Sequence, residues 1–342
     1  MNSNKVTWGN FQHQANGTVV LGSNYDVYGQ VYDPEITPPP GQGAGISAEV
    51  GFSLSNTNPN STTGWTWNPA SYNTDSGNND EYKYNIGSKF TSGGTHYMAF
   101  RYRKSGSTEY VYGGTGGIWN SDNATVDVTV PVNITSTLTK STIYGAADSY
   151  TITATGSMPL TYAATGLPAG LTINATTGVI FGTVTGNVGT YNVTISATNG
   201  GGTDTETLVW TITQRALTIT GLTGVNKIYD ATTSATFSGT PVLNTIVTGD
   251  DVSIAGTPTA SFADKNVGTG KAITFTGYTL TGTKSGNYTL TQPSLTANIT
   301  AKNLTVTGAV AQNKGYDGST AATITGATLV GVISPDAVTV SG

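Results

Sequence analysis

The sequence predicts an all-β chain of sandwich domains joined end to end in an extended rod. Three observations carry that expectation. Apolar and polar residues alternate with period two in run after run, the pattern of strands with one buried face. Of 342 residues, 45 are Gly and 64 are Thr, so turn formers and β-branched residues abound while strong helix formers are scarce. Finally, a block of sequence recurs at an offset of 87 residues, the mark of repeated domains.

Composition excludes several classes. The chain carries a net charge of −5 and a pI near 4.9, which argues against a nucleic-acid partner because such proteins need a basic face. No stretch approaches 18 apolar residues, so no membrane insertion is expected. The glycines keep no three-residue period, which excludes collagen. Hydrophobic content of 36% with regular alternation favours folded strands over disorder. There is no cysteine, hence no disulfide or thiolate chemistry. Met1 is followed by polar Asn2-Ser3-Asn4 without an apolar core, so the start reads as that of a mature chain or an internal fragment.

Residues 1–125 form the first expected module. They hold 4 of the 5 Trp, 10 of the 18 Tyr and 4 of the 8 Phe. Strands are expected at Asp26 to Tyr32, Ile46 to Ser53, Tyr82 to Ile86, His96 to Arg103 and Glu109 to Tyr112. Thr37-Pro38-Pro39-Pro40-Gly41 must be a stiff surface loop. The whole reads as one aromatic-rich β-sandwich.

Residues 126–214 form the second. Tyr150 to Ala154, Tyr191 to Ala197 and Leu208 to Ile212 alternate, and Gly166, Asn174, Gly178, Gly186 and Asn199-Gly200-Gly201-Gly202 mark turns between strands. This spacing reads as a sandwich. Residues 215–301 and 302–342 are the repeat and a partial second copy. Arg215 to Thr220 recurs as Lys302 to Thr307, and Lys227-Ile228-Tyr229-Asp230-Ala231-Thr232 as Lys314-Gly315-Tyr316-Asp317-Gly318-Ser319. Asp251 to Ile254 then aligns with Ala337 to Val340 at offset 86. The second copy lacks counterparts of Ile273 to Phe275, Tyr278 to Leu280 and Asn287 to Leu290. Half a repeat cannot close a core, so the chain is expected to be a piece of something longer or to be completed by a neighbour's strand.

The joints are short. Thr211-Ile212-Thr213 runs into Leu217-Thr218-Ile219 across Gln214-Arg215-Ala216, and Asn298-Ile299-Thr300 meets Leu304 across Ala301-Lys302-Asn303. Flexible tethers are longer and richer in Gly or Ser. Each unit is expected to add roughly 35–40 Å to the rod, from strands of ~10 residues.

Three resemblances cover nearly the whole chain. Residues 215–301 and the partial copy from 302 resemble YDG-type repeats of large bacterial surface proteins. The matching residues are Tyr229-Asp230-Ala231-Thr232, Gly249-Asp250-Asp251-Val252, Phe262 to Gly270 and Gly286-Asn287-Tyr288. Ala231 stands where that family usually has Gly; Gly318 restores it. Residues 130–214 resemble the Ig, cadherin-like modules of bacterial surface proteins, through Leu167 to Asn174 and Thr177 to Thr183, with Val184 where a Pro is common. Residues 1–125 resemble an N-terminal β module of secreted Bacteroidota proteins, through Val27 to Tyr32, Gly41 to Ile46, Asn78 to Tyr82 and Tyr110 to Gly114. Together they imply tandem Ig-like β-sandwich domains in a secreted or cell-surface adhesin, exported by the type IX pathway.

Candidate chemistry is sparse, and the chain is expected not to be an enzyme. His13 and His96 are the only histidines, too few for a zinc site. A triad of His96 with Asp80 or Asp122 lacks a nucleophile elbow, and Glu49, Asp80, Glu81 and Glu109 as paired glycosidase acids compete with a plain solvated face. No cofactor is expected beyond Ca2+. Its candidate site is the oxygen-rich loop Asp75-Ser76-Gly77-Asn78-Asn79-Asp80-Glu81, with Asp75, Asp80 and Glu81 as ligands. That loop lacks EF-hand spacing and reads equally as a turn with Asx hydrogen bonds. Asp250-Asp251 is a second candidate. The Gly-rich stretches Gly113 to Gly117 and Gly200 to Gly202 precede no helix and cradle no phosphate.

Aromatics offer the binding hypothesis. Trp65, Trp67, Tyr72, Tyr110, Tyr112 and Trp119 could stack on sugar rings, and Trp65 and Trp67 share a strand face. That face also reads as core, since aromatics fill sandwiches. Tyr229 and Tyr316 read as packed tyrosines beside the turn-forming Asp230 and Asp317. The expected function is a non-catalytic, extracellular adhesin or stalk that spaces and displays binding modules toward a surface glycan or protein receptor. The alternatives are a subunit of an extracellular filament, self-associating by strand addition, and a carbohydrate-binding accessory fragment of a secreted enzyme.

Overall fold

The structure, a computed structural model, describes residues 4–61 and 63–341. The polar start Met1–Ser3 and the final Gly342 lie outside the described residues. Extended strands dominate, and among the described residues the helical segments are the short 3₁₀ turns Gly87–Lys89 and Ser285–Asn287.

The N-terminal module comprises β1 (Trp8–Gly9), β2 (Asn16–Val20), β3 (Asp26–Tyr32), β4 (Ile46–Ser53) and β5 (Thr66–Ser76). They are followed by β6 (Asn79–Asn85), β7 (Gly94–Lys104), β8 (Val111–Gly114), β9 (Gly117–Ile118) and β10 (Ala124–Thr129). Its ten-stranded sheet runs β1-β3-β6-β5-β4-β7-β10-β2, with β8 and β9 branching from β7. The long strand β5 makes this continuous path. Thr66 to Ala70 pair with β4, and from Ser71 to Ser76 the strand pairs with β6, with a bulge between Tyr72 and Thr74. A bulge bends a strand, and the two halves of the sheet close on one core. Val27, Val31 and Tyr82 from one half meet Val50, Met98, Phe100, Tyr102, Val126 and Val128 from the other. Tyr102 buries its ring and donates its hydroxyl to the Asn10 carbonyl at 2.8 Å. Gly29 is required there, because a Cβ would stand 2.2 Å from the Tyr102 hydroxyl. A buried ion pair, Lys104 Nζ to Asp33 at 2.8 Å, ties the end of β7 to the end of β3.

The Ig-like domain follows, with β11 (Asn133–Ile134), β12 (Thr139–Ile143), β13 (Ala147–Thr151), β14 (Ala154–Thr155) and β15 (Thr161–Thr165). It continues through β16 (Leu171–Ile173), β17 (Val179–Thr183), β18 (Gly189–Asn199) and β19 (Gly202–Thr213). The sheet β12-β19-β18-β15 faces a smaller sheet β13-β17-β16. The alternation read from the sequence is the burial pattern: Val193, Ile195, Ala197, Leu208 and Trp210 point inward. The Trp210 ring lies edge-on to Tyr150 at 6.0 Å.

The first repeat consists of β20 (Arg215–Val225), β21 (Lys227–Ile228), β22 (Thr236–Leu243), β23 (Ser253–Phe262) and β24 (Gly268–Thr281), then β25 (Tyr288–Thr291) and β26 (Ser294–Thr300). Two sheets, β22-β20-β25 and β21-β26-β24-β23, enclose Ile219, Phe262, Ile273, Phe275, Tyr278, Ala297 and Ile299. Ile273 to Phe275 and Tyr278 to Leu280, separate runs in the sequence, lie on the single strand β24, whose left-handed Gly277 lets it bend. The partial second copy forms β27 (Thr305–Thr307), β28 (Val310–Ala311), β29 (Ile324–Thr325) and β30 (Thr328–Val330), paired β27-β30 and β28-β29. Val306, Val310, Ile324, Val330, Val338 and Val340 remain exposed there.

Ala231 adopts φ +60°, and its counterpart in the second copy, Gly318, sits at φ +71°. A left-handed L-residue costs roughly 1–2 kcal/mol. Ala231→Gly is therefore expected to stabilise the first repeat by about 1 kcal/mol after the entropy cost of glycine. Calorimetry reads this as a raised midpoint for that repeat, and an unchanged or lowered midpoint contradicts it.

Candidate functional site

The aromatic residues singled out in the sequence gather on the outer face of the N-terminal sheet. Along β7, His96, Met98, Phe100 and Tyr102 are buried, so by strand alternation Arg101 and Arg103 stand on the other face. Neighbouring strands supply Glu49 from β4, Trp67 from β5 and Tyr112 from β8. The indole of Trp67 lies flat over Gly51, where any Cβ would stand 2.7 Å from the ring. The Arg101 guanidinium is sandwiched between Trp67 and Tyr110, its carbon 4.1 Å from each ring centroid. Its Nε donates to Glu49 at 2.6 Å. Arg103 lies 5.0 Å over the other part of this surface, against Tyr110. Trp65 stacks on Trp67 with centroids 5.6 Å apart, and Tyr112 meets Trp67 edge-on at 5.9 Å.

Hydrogen bonds fix the two outer indoles. Trp119 Nε1–H donates to Asn123 at 2.8 Å. The Asn123 amide donates to Asn56 and to the Thr57 carbonyl, and the Thr57 hydroxyl accepts from Trp65 Nε1–H at 3.2 Å. A groove of about 360 Å³ opens beside these rings, lined by Tyr110, Tyr112, Trp119, Asn58, Asn60 and Lys5 among others. The core reading of Trp65 and Trp67 does not hold. Both are half-buried and stand outside the core cluster, because alternation places the core on the opposite face of the sheet. Tyr72 differs: it packs at the margin of the core, edge-on to Tyr82.

The acidic segment 75–81 is strand rather than loop. β5 continues to Ser76 and β6 begins at Asn79, so only Gly77 and Asn78 turn, and Asp75 and Asp80 are cross-strand partners. Asp75 accepts from the Gly41 N–H at 2.9 Å and from the Tyr72 hydroxyl at 2.6 Å. These bonds hold its carboxyl below the usual range, while the carboxylate pushes the Tyr72 phenol up to about 12. Asp80, 0% exposed, accepts from the Gly43 N–H at 2.7 Å, and Glu81 accepts from Asn73 at 2.6 Å. These carboxylates thus fasten the Pro38–Pro40 loop and the hairpin. Among the described residues, no group of three or more His, Cys, Asp or Glu side chains converges as metal ligands would.

His96 is buried between Phe52 and Phe90, with Nδ1 3.1 Å from the Gly94 carbonyl oxygen, and burial lowers its pKa. Asp122 instead accepts from Gly116, Asn120 and Thr115 in its own turn. Asp250 accepts the hydroxyls of Tyr144 and Tyr288, and Asp251 binds Thr283. Asp230 and Asp317 form the expected turns through Thr232 and Ser319. Tyr229 donates its hydroxyl to Asp336, whereas Tyr316 is fully exposed rather than packed. The sequence reading missed Arg101 and Arg103. They are two of only three arginines in the chain, alternating with inward aromatics, and that scarcity was the available signal.

Burial pushes the Asp80 carboxyl above its ordinary range against the opposing Gly43 bond, and its Oδ1 has no hydrogen-bond partner. A raised carboxylate pKa means that the fold prefers the protonated form. Its contribution is present below the ordinary carboxylate range and is lost as pH rises through the raised value. Asp80→Asn is therefore expected to raise the unfolding midpoint of the N-terminal module at pH 7 and to give a smaller gain at pH 4. Equal gains at both pH values would contradict this account.

Comparison with known domains agrees with this architecture. The "Putative Ig domain" family model matches residues 118–213, and the YDG domain model matches residues 213–296 and 300–342. No curated protein sequence matches the chain. Among solved structures, the titin I-band fragment I67–I69 is similar at 11% identity and TM-score 0.37, over 87% of this chain and 99% of that one. Sidekick-1 immunoglobulin domains 1–5 are similar at 9% identity and TM-score 0.37, over 88% and 60%. A putative alpha-galactosidase/melibiase from Bacteroides fragilis is similar at 28% identity and TM-score 0.23, over 28% and 20%. The chain spans a fifth of the length of that protein and of a second putative alpha-galactosidase from the same organism. By topology the chain is a multidomain, all-β protein of tandem Ig-like sandwiches, with similarity to the Ig domain model in its middle and to the YDG domain model in its C-terminal part.

Proposed function

We propose that this chain is a non-catalytic segment of a secreted, cell-surface adhesin, in which the Ig-like and YDG domains space and present the N-terminal module. That module binds glycan through its aromatic–arginine face. The observation that carries this reading is the set of half-exposed, pre-positioned rings beside the 360 Å³ groove. Aromatic faces complement the apolar faces of sugar rings, and the flanking Asn58 and Asn60 amides complement hydroxyls. The volume lies at the lower end of the range of about 300–1,000 Å³ for small-molecule sites. Fixing Trp65 and Trp119 before binding reduces the ordering cost of association. The engagement of Glu49, Asp75, Asp80 and Glu81 in scaffold bonds supports the non-catalytic part.

Glycan-array binding by the whole chain tests this. A Trp65→Ala/Trp67→Ala variant is expected to bind roughly tenfold more weakly or worse, from a loss of about 1–2 kcal/mol. Unchanged binding by a folded variant would return both indoles to a scaffolding role.

A second reading has its own observation. In the first repeat β20 has a neighbour on each side, β22 and β25, whereas among the described residues β27 pairs only with β30. An open strand edge beside exposed valines invites strand addition by another chain. Fibres of uniform repeat in electron micrographs of the purified chain are expected on that reading, and isolated particles speak against it.

A further inference from the structure

One turn occurs in both repeats, and each time its aspartate reaches the domain before it. Val247–Asp250 and Ile333–Asp336 are counterparts at an offset of 86 residues. In both, the aspartate N–H donates to the carbonyl three residues back, at 3.1 Å for Asp250 and 2.8 Å for Asp336. Asp250 Oδ1 accepts the hydroxyl of Tyr144, 3.2 Å away. Tyr144 belongs to Ser141–Ala146 of the Ig-like domain, a segment that clusters in one compact unit with the repeats. The other oxygen of Asp250 accepts the Tyr288 hydroxyl of its own repeat. Asp336 Oδ2 accepts the Tyr229 hydroxyl of the first repeat at 2.7 Å, and Oδ1 accepts from Lys265 Nζ at 3.0 Å. The Lys265 ammonium also stands 5.8 Å over the Tyr229 ring.

These partners are the motif residues of the repeat. Tyr229 opens the Tyr-Asp-Ala-Thr run, Lys265 lies in Phe262 to Gly270, and Asp336 occupies the position of Asp250 in Gly-Asp-Asp-Val. Apolar packing around the second joint is loose, for a cleft of about 360 Å³ lies between Tyr229, Val267, Leu304, Ile333 and Val338. Charge-assisted bonds therefore hold a joint that side-chain packing does not fill. Tyr229 and Lys265 also keep the Asp336 carboxyl below its usual range. Tyr316, the counterpart of Tyr229, meets no such turn and is 100% exposed.

We propose that this turn is a docking latch: each YDG repeat seats on the preceding domain by presenting its aspartate to a tyrosine hydroxyl. The Tyr229 end of a repeat is accordingly a receptor for another repeat of the same kind. This inference does not depend on the glycan reading.

The absence of cysteine makes the test direct. Spin labels on Thr240→Cys and Thr320→Cys, exposed positions in the first and second repeats, report the distance distribution across the joint in the full chain. A narrow distribution is expected for the parent. Asp336→Ala is expected to broaden it about twofold, as the joint loses its charge-assisted pair. Asp317→Ala, which removes an ion pair with Lys314 inside the second repeat, is the control and is expected to leave the distribution narrow. Because Asp336→Ala could disturb the small second repeat, Tyr229→Phe/Lys265→Met removes the same bonds from the side of the fully closed first repeat. Broadening in this double variant supports the latch. A distribution as narrow as the parent's, or equal broadening in Asp317→Ala, overturns it.

Discussion

Strand alternation is the constraint on which the rest of this molecule depends. Only 10% of residues are charged, so the faces are separated by threonine and serine against valine, isoleucine and aromatics rather than by charge. A slip of one residue in any ladder would turn Val193, Ile195 and Ala197, or Met98, Phe100 and Tyr102, to the opposite face. The uninterrupted β4–β7 ladder, from Ile46 with Lys104 to Ser53 with Tyr97, fixes two faces at once. Phe100 and Tyr102 build the core on one side. Arg101 and Arg103 meet Tyr110 on the other. The candidate binding face is thus a by-product of the register that closes the core.

Much of the fold was legible because period-two alternation is a local property. The strands Asp26–Tyr32 and Ile46–Ser53 were readable to the residue, since clear turn segments flank them. Other edges moved for local chemical reasons. The Ser107 hydroxyl accepts from the Glu109 N–H, which holds Glu109 in a turn and delays β8 to Val111. The hairpin at Gly77-Asn78 is tighter than its acidic flanks suggested, so β6 begins before Tyr82.

Less of the site was legible. Period two established that Trp65 and Trp67 share a face, but which face is the core depends on partners distant in sequence. Gly51, which makes room for Trp67, lies across a strand pair, and Asn123 reaches Thr57 from 66 residues away. The joints were harder still. Tyr229 and Asp336 are 107 residues apart, and nothing in either local run signals that they meet. The 87-residue repeat supplied the elements; three-dimensional placement supplied the relation between them.

In the first repeat, β20 runs parallel to β25 and β21 runs parallel to β26. The second pairing sets Ile299 and Thr300 beside Lys227 and Ile228, at the far end of the path that β20 begins at Arg215. The backbone therefore enters the repeat at one pole and leaves at the other. Tension between Arg215 and Thr300 draws on these parallel pairs lengthwise, so their hydrogen bonds share the strain together instead of parting one after another. Threading of this kind sets how the domain meets a pull along the chain as a matter separate from its equilibrium stability.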